Sequence, residues 1–387
     1  MLNDRPEPPQ TVVAVPDLAF RHARRTRRSP LSDLAERRGA TGWTIYNHML
    51  LPVGFGDPVE QYRHLKRAVQ VWDVAAERQV EIVGADAERL VQLMTCRDVR
   101  GMPTMLCRYA PLVDERGHVL NDPLILRPDG ERWWVSVADS DILLWARGLA
   151  AGMGLDVTVR EPDVHPLAVQ GPLADELAAR VFGDGVRELT FFRAGRFEQG
   201  GHEHVVARCG WSGQGGFEVF VEGWERSAPL WEALFEAGAD LDVRPGGPNG
   251  TERIEAGLLS WGNDITIHDD PFQCGLGRYV DLDAPSLGRD ALRGRTEPTR
   301  KLRGLVFDGD GLPRLVQRWP VALDGAAVGH VTSAADSPDW GAAIAIAMLD
   351  RAAWETGTTV RVAVPGGERA ARVADLPLRP PAGNDAP

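Results

Sequence analysis

The chain has 387 residues, 43% hydrophobic and 25% charged, a composition typical of a globular protein with two or three packed subdomains. No run of about 18 apolar residues occurs, so no transmembrane helix is predicted. The N-terminus also lacks the basic start and apolar stretch of a secretory signal. The net charge of -12 argues against a nucleic-acid partner, because such proteins carry clustered basic surface. We therefore expect a cytoplasmic monomer or homodimer that binds small molecules, with no membrane partner.

The cysteines predict neither a metal site nor disulfide bonds. No two of them form a CxxC pair, and no histidine stands beside them at ligand spacing. We interpret them as reduced, partly buried thiols: Cys96, Cys107, Cys209 and Cys274.

The first half of the chain alternates helices and strands. Asp57 followed by Pro58 predicts a helix start, since a capping side chain precedes proline at the first helical position. The other predictions, in chain order, are a strand at 79–83, a helix at 85–94, a hairpin with arms at 109–113 and 119–126, a strand at 131–138, and a helix at 140–153 capped by Asp139 or Ser140.

A similar alternation follows and favours two α+β units in tandem. Its predicted elements are strands at 167–170, 204–208 and 216–221 and helices at 173–181, 227–237 and 251–260.

Beyond a charged linker at 293–301, short strands follow one another at roughly even spacing. They are predicted at 302–307, 319–323, 329–333, 342–348 and 358–364. Such spacing is typical of a small antiparallel barrel or sandwich.

No P-loop, dinucleotide-binding glycine motif, GxSxG or HExxH is present, so polar residues in unusual places carry the functional argument. The first is Asn121-Asp122-Pro123, inside an otherwise apolar strand. Proline there favours a bulge or an edge. The carboxylate of Asp122 then faces either solvent or a cavity.

The second is a glycine-rich loop, 210–216, that leads into a strand containing Glu218. Strand alternation puts Glu218 on the face opposite Phe217 and Val219. A carboxylate accepts two parallel hydrogen bonds, which suits an aminopyrimidine edge. The alternative is a glutamate that faces solvent.

The third is a helix in which Glu252 and Glu255 flank Arg253, followed by Gly262-Asn263-Asp264. Ordinarily such a cluster is a surface ion-pair group of small energetic value.

Together these segments resemble the folate-binding aminomethyltransferase family, whose founding member is the T-protein of the glycine cleavage system. The matching motifs are Tyr109 with Asn121-Asp122, Gly216-Phe217-Glu218, Arg253 to Gly257 with Gly262 to Asp264, and Gly329 to Ser333 with Ser337-Pro338 and Ile344 to Ala347. The resemblance runs in order from Trp43 to Leu376. It implies an α+β fold of tandem subdomains over residues 1–292 and a C-terminal antiparallel β-barrel over 300–380.

Within the family, the chain resembles a branch that demethylates dimethylsulfoniopropionate. The matching segments include Tyr46 to Pro52, Val69 to Val74 and Leu93 to Asp98. The T-protein usually has Ser-His-Met where this chain has Ala76-Glu77-Arg78, and aspartate in place of Asn121. Both departures argue against glycine cleavage.

The resemblance also assigns site residues. Asp122 is implied as the catalytic residue, an acidic side chain near the folate N5 nitrogen. The residues implied to bind folate are Glu218, Arg253, Tyr109 and Gln214, and those implied to line the donor pocket are Trp211, Tyr46 and Met49. The branch has tyrosine where this chain has Phe220, so one hydroxyl contact to folate is expected to be missing.

The implied activity is transfer of a methyl group from dimethylsulfoniopropionate to tetrahydrofolate, giving 5-methyltetrahydrofolate and 3-methylthiopropionate without a metal. Three alternatives stay open. They are a T-protein-like aminomethyltransferase, a folate-dependent demethylase of a betaine or aryl methyl ether, and a folate-binding module without catalysis.

Overall fold

The computed structural model of the chain describes residues 23–379, which divide into two compact units. The large unit holds residues up to 249 together with 260–297, and the small unit holds 250–259 and the chain from 298 onward. The outer ends of both predicted domains, 1–22 and 380, lie outside the described residues, and the predicted boundary between 292 and 300 stays a prediction.

The helices of the described chain are α1 (Ser32–Arg37), α2 (Pro58–Arg67), α3 (Ala87–Met94), α4 (Ile142–Gly152), α5 (Ala174–Phe182), α6 (Trp224–Ala237), α7 (Gly250–Glu255) and α8 (Arg289–Arg293). The strands of the large unit are β1 (Gly42–Tyr46), β2 (Met49–Gly54), β3 (Gln70–Asp73), β4 (Gln79–Val83), β5 (Cys107–Tyr109), β6 (Leu112–Val113), β7 (Val119–Asn121), β8 (Leu124–Leu126), β9 (Arg132–Ser136), β10 (Thr158–Arg160), β11 (Val164–Gln170), β12 (Ala194–Gln199), β13 (His202–Ala207), β14 (Gly216–Glu222) and β15 (Arg244–Gly246). The strands of the small unit are β16 (Arg300–Phe307), β17 (Trp319–Leu323), β18 (Ala326–Ser337), β19 (Ala342–Asp350), β20 (Thr359–Val364) and β21 (Gly367–Ala374).

Two main sheets build the large unit. One is antiparallel, with strand order β10-β4-β9-β8-β5, and packs its apolar face on α3 and α4. The other has the order β12-β13-β14-β11-β3-β15 and packs one face on α5 and α6. Phe217, Val219 and Val221 of β14 belong to that helix-covered face. Phe220 instead joins a cluster with Cys107 and Trp134 of the other sheet, so the second face of β14 is turned toward the five-stranded sheet.

Several local predictions are confirmed, and others are wrong at the element ends. Asp57 caps α2, because its side chain accepts a hydrogen bond from the Glu60 amide at 2.8 Å. Helix α4 begins at Ile142, and neither Asp139 nor Ser140 caps it. Asp139 instead accepts the Asn47 amide at 2.7 Å.

The small unit is a closed six-stranded barrel with strand order β16-β19-β18-β17-β20-β21, which decides between the predicted barrel and sandwich. The strand β21 was not predicted, and it closes the barrel by pairing with β16. Helix α7 ends at Glu255, well before the predicted end at Ser260.

Candidate active site

Asp122 lies where β7 ends and β8 has not begun, so the predicted strand at 119–126 is interrupted there. The carbonyl of Pro123 accepts a hydrogen bond from the Ala110 amide at 3.0 Å. Asn121 is completely buried and bonds the carbonyl and amide of Ala138, both at 3.1 Å. With its neighbour fixed in this way, the backbone places Asp122 firmly.

The Tyr109 hydroxyl donates to Oδ2 of Asp122 at 2.8 Å. Burial raises the pKa of Asp122 to about 7, and the carboxylate of Asp264 adds to that rise, while the Tyr109 bond opposes it. The ring of Tyr109 stands edge-on to Tyr279 with centroids 5.1 Å apart. Asp122 is therefore an acid that exchanges a proton near neutrality, beside an ordered aromatic pair.

Glu218 is only 7% exposed and faces the space between the two sheets, so the solvent-facing alternative is wrong. Its cross-strand neighbours are Ala168 and Ala207, whose small side chains leave room around the carboxylate. The Cys209 thiol donates to its Oε2 at 3.2 Å. Burial raises the pKa of Glu218, because the charged form loses its water.

A second carboxylate, Glu77, acts on the same region. Burial raises its pKa well above the usual value, and the charge of Glu218 raises it further. Glu77 follows β3 in a turn whose backbone is held, with its amide donating to the Val74 carbonyl at 2.9 Å. Two carboxyl groups thus lie inside the large unit, and the charge of Glu218 disfavours the ionised form of Glu77.

The tip of the β1–β2 hairpin carries Tyr46 and Met49 into this region. Asn47, at the tip with φ of 49°, donates to the carbonyls of Ala76 and Val137 at 3.0 and 2.9 Å. Burial raises the pKa of Tyr46 well above its usual value, and the charges of Glu77 and Asp122 contribute. Met49 is buried in an apolar cluster next to Tyr46. The hairpin therefore places the ring of Tyr46 where the charges of both Glu77 and Asp122 act on it.

The glycine-rich loop is held by Gln170, which is buried at the end of β11. Ser212 donates to its Oε1 at 2.7 Å. A Cβ at Gly210 would lie 2.2 Å from the Gln170 amide group, so a larger residue there would displace the Gln170 side chain. The backbone amide of Gln214 donates a hydrogen bond to the Ser212 hydroxyl at 3.1 Å. Trp211, in the same loop, is partly exposed.

Arg253 belongs to the small unit and is buried, as are Glu252 and Glu255 on the same helix. Arg253 donates to the Ser333 hydroxyl and, at 3.2 Å, to the Leu258 carbonyl. The Ser337 hydroxyl bonds Glu255 at 2.5 Å. The expectation of a surface ion-pair cluster is wrong, because these charges hold α7 against β18 inside the unit.

The two family models that match the chain are the GCVT N-terminal domain, over residues 31–284, and the glycine cleavage T-protein C-terminal barrel domain, over residues 300–378. The chain belongs to the glycine cleavage T-protein family. A dimethylsulfoniopropionate demethylase of Ruegeria pomeroyi is 49% identical over 91% of this chain and 97% of its own length. An aminomethyltransferase of Symbiobacterium thermophilum is 34% identical over the same shares.

A solved member of the glycine cleavage T-protein family has the same fold. The aminomethyltransferase T structure of Bartonella henselae superposes with a TM-score of 0.80 at 24% identity, over 91% of this chain and 98% of that one. The predicted family and the predicted α+β fold with a C-terminal barrel are thus confirmed.

Phe220 differs from the expected tyrosine of its branch of the T-protein family. Its ring is fully buried and lies 6.0 Å from that of Trp134, two residues beyond Glu218 on the same strand face. The position is packed by apolar groups, which suits phenylalanine without an unpaired hydroxyl.

Three residues near the site were not among the predicted site residues: Glu77, Asn47 and Asp264. The departure Ala76-Glu77-Arg78 from the T-protein pattern was the one available signal for Glu77. Asn47 and Asp264 gain their roles only through distant partners.

A cavity of about 490 Å³ on the large unit is lined by none of the predicted site residues, but its lining residues Arg97 and Tyr279 both contact Tyr109. Within residues 23–379, no group of histidine, cysteine and acidic side chains could hold a metal ion. In the same range, no helix has the length and apolar character needed to cross a bilayer.

Proposed function

We propose that this chain transfers a methyl group from dimethylsulfoniopropionate to the N5 nitrogen of tetrahydrofolate, giving 5-methyltetrahydrofolate and 3-methylthiopropionate. The observation that carries this proposal is the 49% identity with a dimethylsulfoniopropionate demethylase over nearly the whole of both chains. The partly buried Asp122, with its pKa raised to about 7, supports a catalytic role over a non-catalytic folate-binding module.

The chemistry needs a donor and an acceptor held in line. The N5 lone pair of the folate attacks a methyl carbon, and the carbon–sulfur bond breaks with its electron pair left on sulfur. The N5 proton departs, and Asp122 in its ionised form accepts it. No covalent intermediate with the enzyme is required, so positioning supplies most of the rate, on the order of 7–11 kcal/mol.

The predicted residues divide between the two ligands. Glu218 accepts hydrogen bonds from the aminopyrimidine edge of the folate, and Tyr109 and Gln214 bind the rest of it. Tyr46, Trp211 and Met49 contact the donor, whose positive charge aromatic faces attract by roughly 0.5–2 kcal/mol per contact.

We also propose that the protein acts in the cytoplasm as a monomer or homodimer, with small molecules as its substrates. Its net charge of -12 supports the absence of a nucleic-acid partner.

The test is direct detection of products. The protein is incubated with tetrahydrofolate and dimethylsulfoniopropionate, and 5-methyltetrahydrofolate and 3-methylthiopropionate are quantified by mass spectrometry. Glycine betaine, dimethylglycine and vanillate are run in parallel. Equimolar formation of both products supports the proposal, whereas turnover only with another donor rejects it.

A further inference from the structure

The backbone of Glu77 is held in place, whereas its carboxylate has no partner among residues 23–379. Its carbonyl accepts the Gln79 side chain at 2.8 Å and its amide is also bonded, so the backbone is held on both sides. Within residues 23–379, the carboxylate makes no hydrogen bond and no ion pair. The neighbouring Arg78 is engaged by Glu161, with 2.9 Å between Nε and Oε1.

The Ala76 carbonyl, next to Glu77, accepts the Asn47 side chain at 3.0 Å, which places Glu77 beside the tip of the β1–β2 hairpin. The charge of a second carboxylate, Glu218, acts on Glu77. Among the described residues, Glu218 has only the Cys209 thiol as a side-chain partner. Removing two like charges from water is costly unless an opposite charge or several donors compensate. The pair therefore favours a ligand that brings positive charge as well as N–H donors.

Of the two proposed substrates, one supplies the N–H donors and the other supplies the positive charge. The aminopyrimidine edge of tetrahydrofolate is neutral and offers parallel N–H donors, which one carboxylate satisfies. The methyl donor offers no N–H or O–H group at its reacting end but carries a full positive charge there. The other carboxylate can therefore face the positive charge of the donor. Tyr46, whose pKa is raised in part by the charge of Glu77, adds an aromatic ring next to that carboxylate.

We propose that Glu77 is the counter-ion of the methyl donor and makes the site select donors with a positively charged methyl-bearing centre. The inference rests on the proposed function, because it needs a cationic donor and a neutral acceptor. It assigns Glu77 to specificity and leaves proton transfer to Asp122.

The test compares each cation with its neutral isostere. Dimethylsulfoniopropionate is paired with 4-methylpentanoate, in which carbon replaces sulfur, and glycine betaine with 3,3-dimethylbutanoate. Each compound is titrated into the full chain by calorimetry without folate, so that no turnover occurs. We expect the wild-type protein to prefer the cation of one pair by at least tenfold, and Glu77→Gln to lose that preference while its affinity for tetrahydrofolate stays within twofold.

Two controls separate Glu77 from other carboxylates. Glu218→Gln is expected to weaken tetrahydrofolate binding at least tenfold and to keep the preference for the cation. Glu203→Gln removes an exposed glutamate of β13 and is expected to change neither property.

Other results overturn the assignment. They are no preference in the wild-type protein, an unchanged preference in Glu77→Gln, or a loss in that variant confined to tetrahydrofolate. If the protein transfers a methyl group from dimethylsulfoniopropionate but Glu77→Gln keeps the preference for the cation, the role of Glu77 is refuted and the proposed function stands. A Glu77-dependent preference seen only in the betaine pair would refute the proposed donor and keep the role of Glu77.

Discussion

Tyr109 donates a hydrogen bond to Asp122, and this bond lowers the pKa of the carboxyl that burial raises to about 7. Below that pH the carboxyl is mostly protonated and cannot accept the N5 proton of the folate. We therefore expect kcat/KM to fall as pH decreases through about 7. Asp122→Asn should lose most of the turnover and retain folate binding, as measured by calorimetry.

The variant Tyr109→Phe tests the bond itself. Its ring still packs on Tyr279, but the hydroxyl that favours ionised Asp122 is gone. One hydrogen bond to a charged group corresponds to a shift of about 1 pH unit. The acidic limb of the kcat/KM profile should move upward by that amount. A profile that keeps its midpoint would show that Asp122 does not limit the rate.

Residue-scale prediction from the sequence succeeded where the local pattern carried the information. Strand alternation predicted that Glu218 lies opposite Phe217 and Val219, and the structure confirms that orientation. Glu77 has no such pattern, because its environment depends on Glu218, far along the chain. The other predicted site residues keep their assigned roles as predictions.

At the scale of elements, β14 depends on the glycine that starts it. Gly216 has φ of 135°, and a Cβ there would lie 2.1 Å from the Val169 carbonyl of the paired strand β11. Gly215 has φ of 80° but no atom within 4 Å of its Cβ position. The two positions therefore separate steric clash from backbone strain.

We expect Gly216→Ala to lower the free energy of unfolding by about 2–4 kcal/mol and to weaken folate binding, because β14 carries Glu218 two residues later. Gly215→Ala, which adds strain without a clash, should cost about 1 kcal/mol and leave binding intact. Urea unfolding and calorimetry measure both effects. Equal losses in the two variants would contradict the steric explanation.

The elements that the sequence predicted well are those with strong local signals. The Asp57-Pro58 start of α2, the strand Gln79–Val83 and the strand Trp319–Leu323 appear as predicted. Short strands such as β3 and β15 were missed, since they acquire strand geometry only by pairing with strands far away along the chain, β3 with β11 and β15 with β3. Helix α7 was predicted too long, because an apolar pattern alone does not mark where a helix ends.

At the scale of the molecule, buried acids link stability to pH. Asp73 is 1% exposed and bonds the Ser29 hydroxyl at 2.5 Å, yet burial raises its pKa to about 6. The folded chain thus binds this proton more tightly than the unfolded chain, whose carboxyl ionises near 4. This contribution to stability is complete below pH 4 and is lost as pH rises through about 6.

The variant Asp73→Asn removes that titration. Its free energy of unfolding relative to the wild-type protein should increase between pH 4 and pH 7, by about 3 kcal/mol for a shift of this size. Because every other group is shared, the difference isolates Asp73 from the surface carboxylates. Urea unfolding at several pH values measures it, and a difference independent of pH would disprove the assignment.

The closed barrel also shields one segment from self-association. Strand β19, Ala342–Asp350, has no charged residue before its last position and no proline, and β16 and β18 cover both of its edges. An uncharged run of this kind stacks readily into cross-β fibrils once its edges are free. Thermal opening of the barrel therefore leads toward aggregation, and heat inactivation should be irreversible, with its rate set by barrel opening.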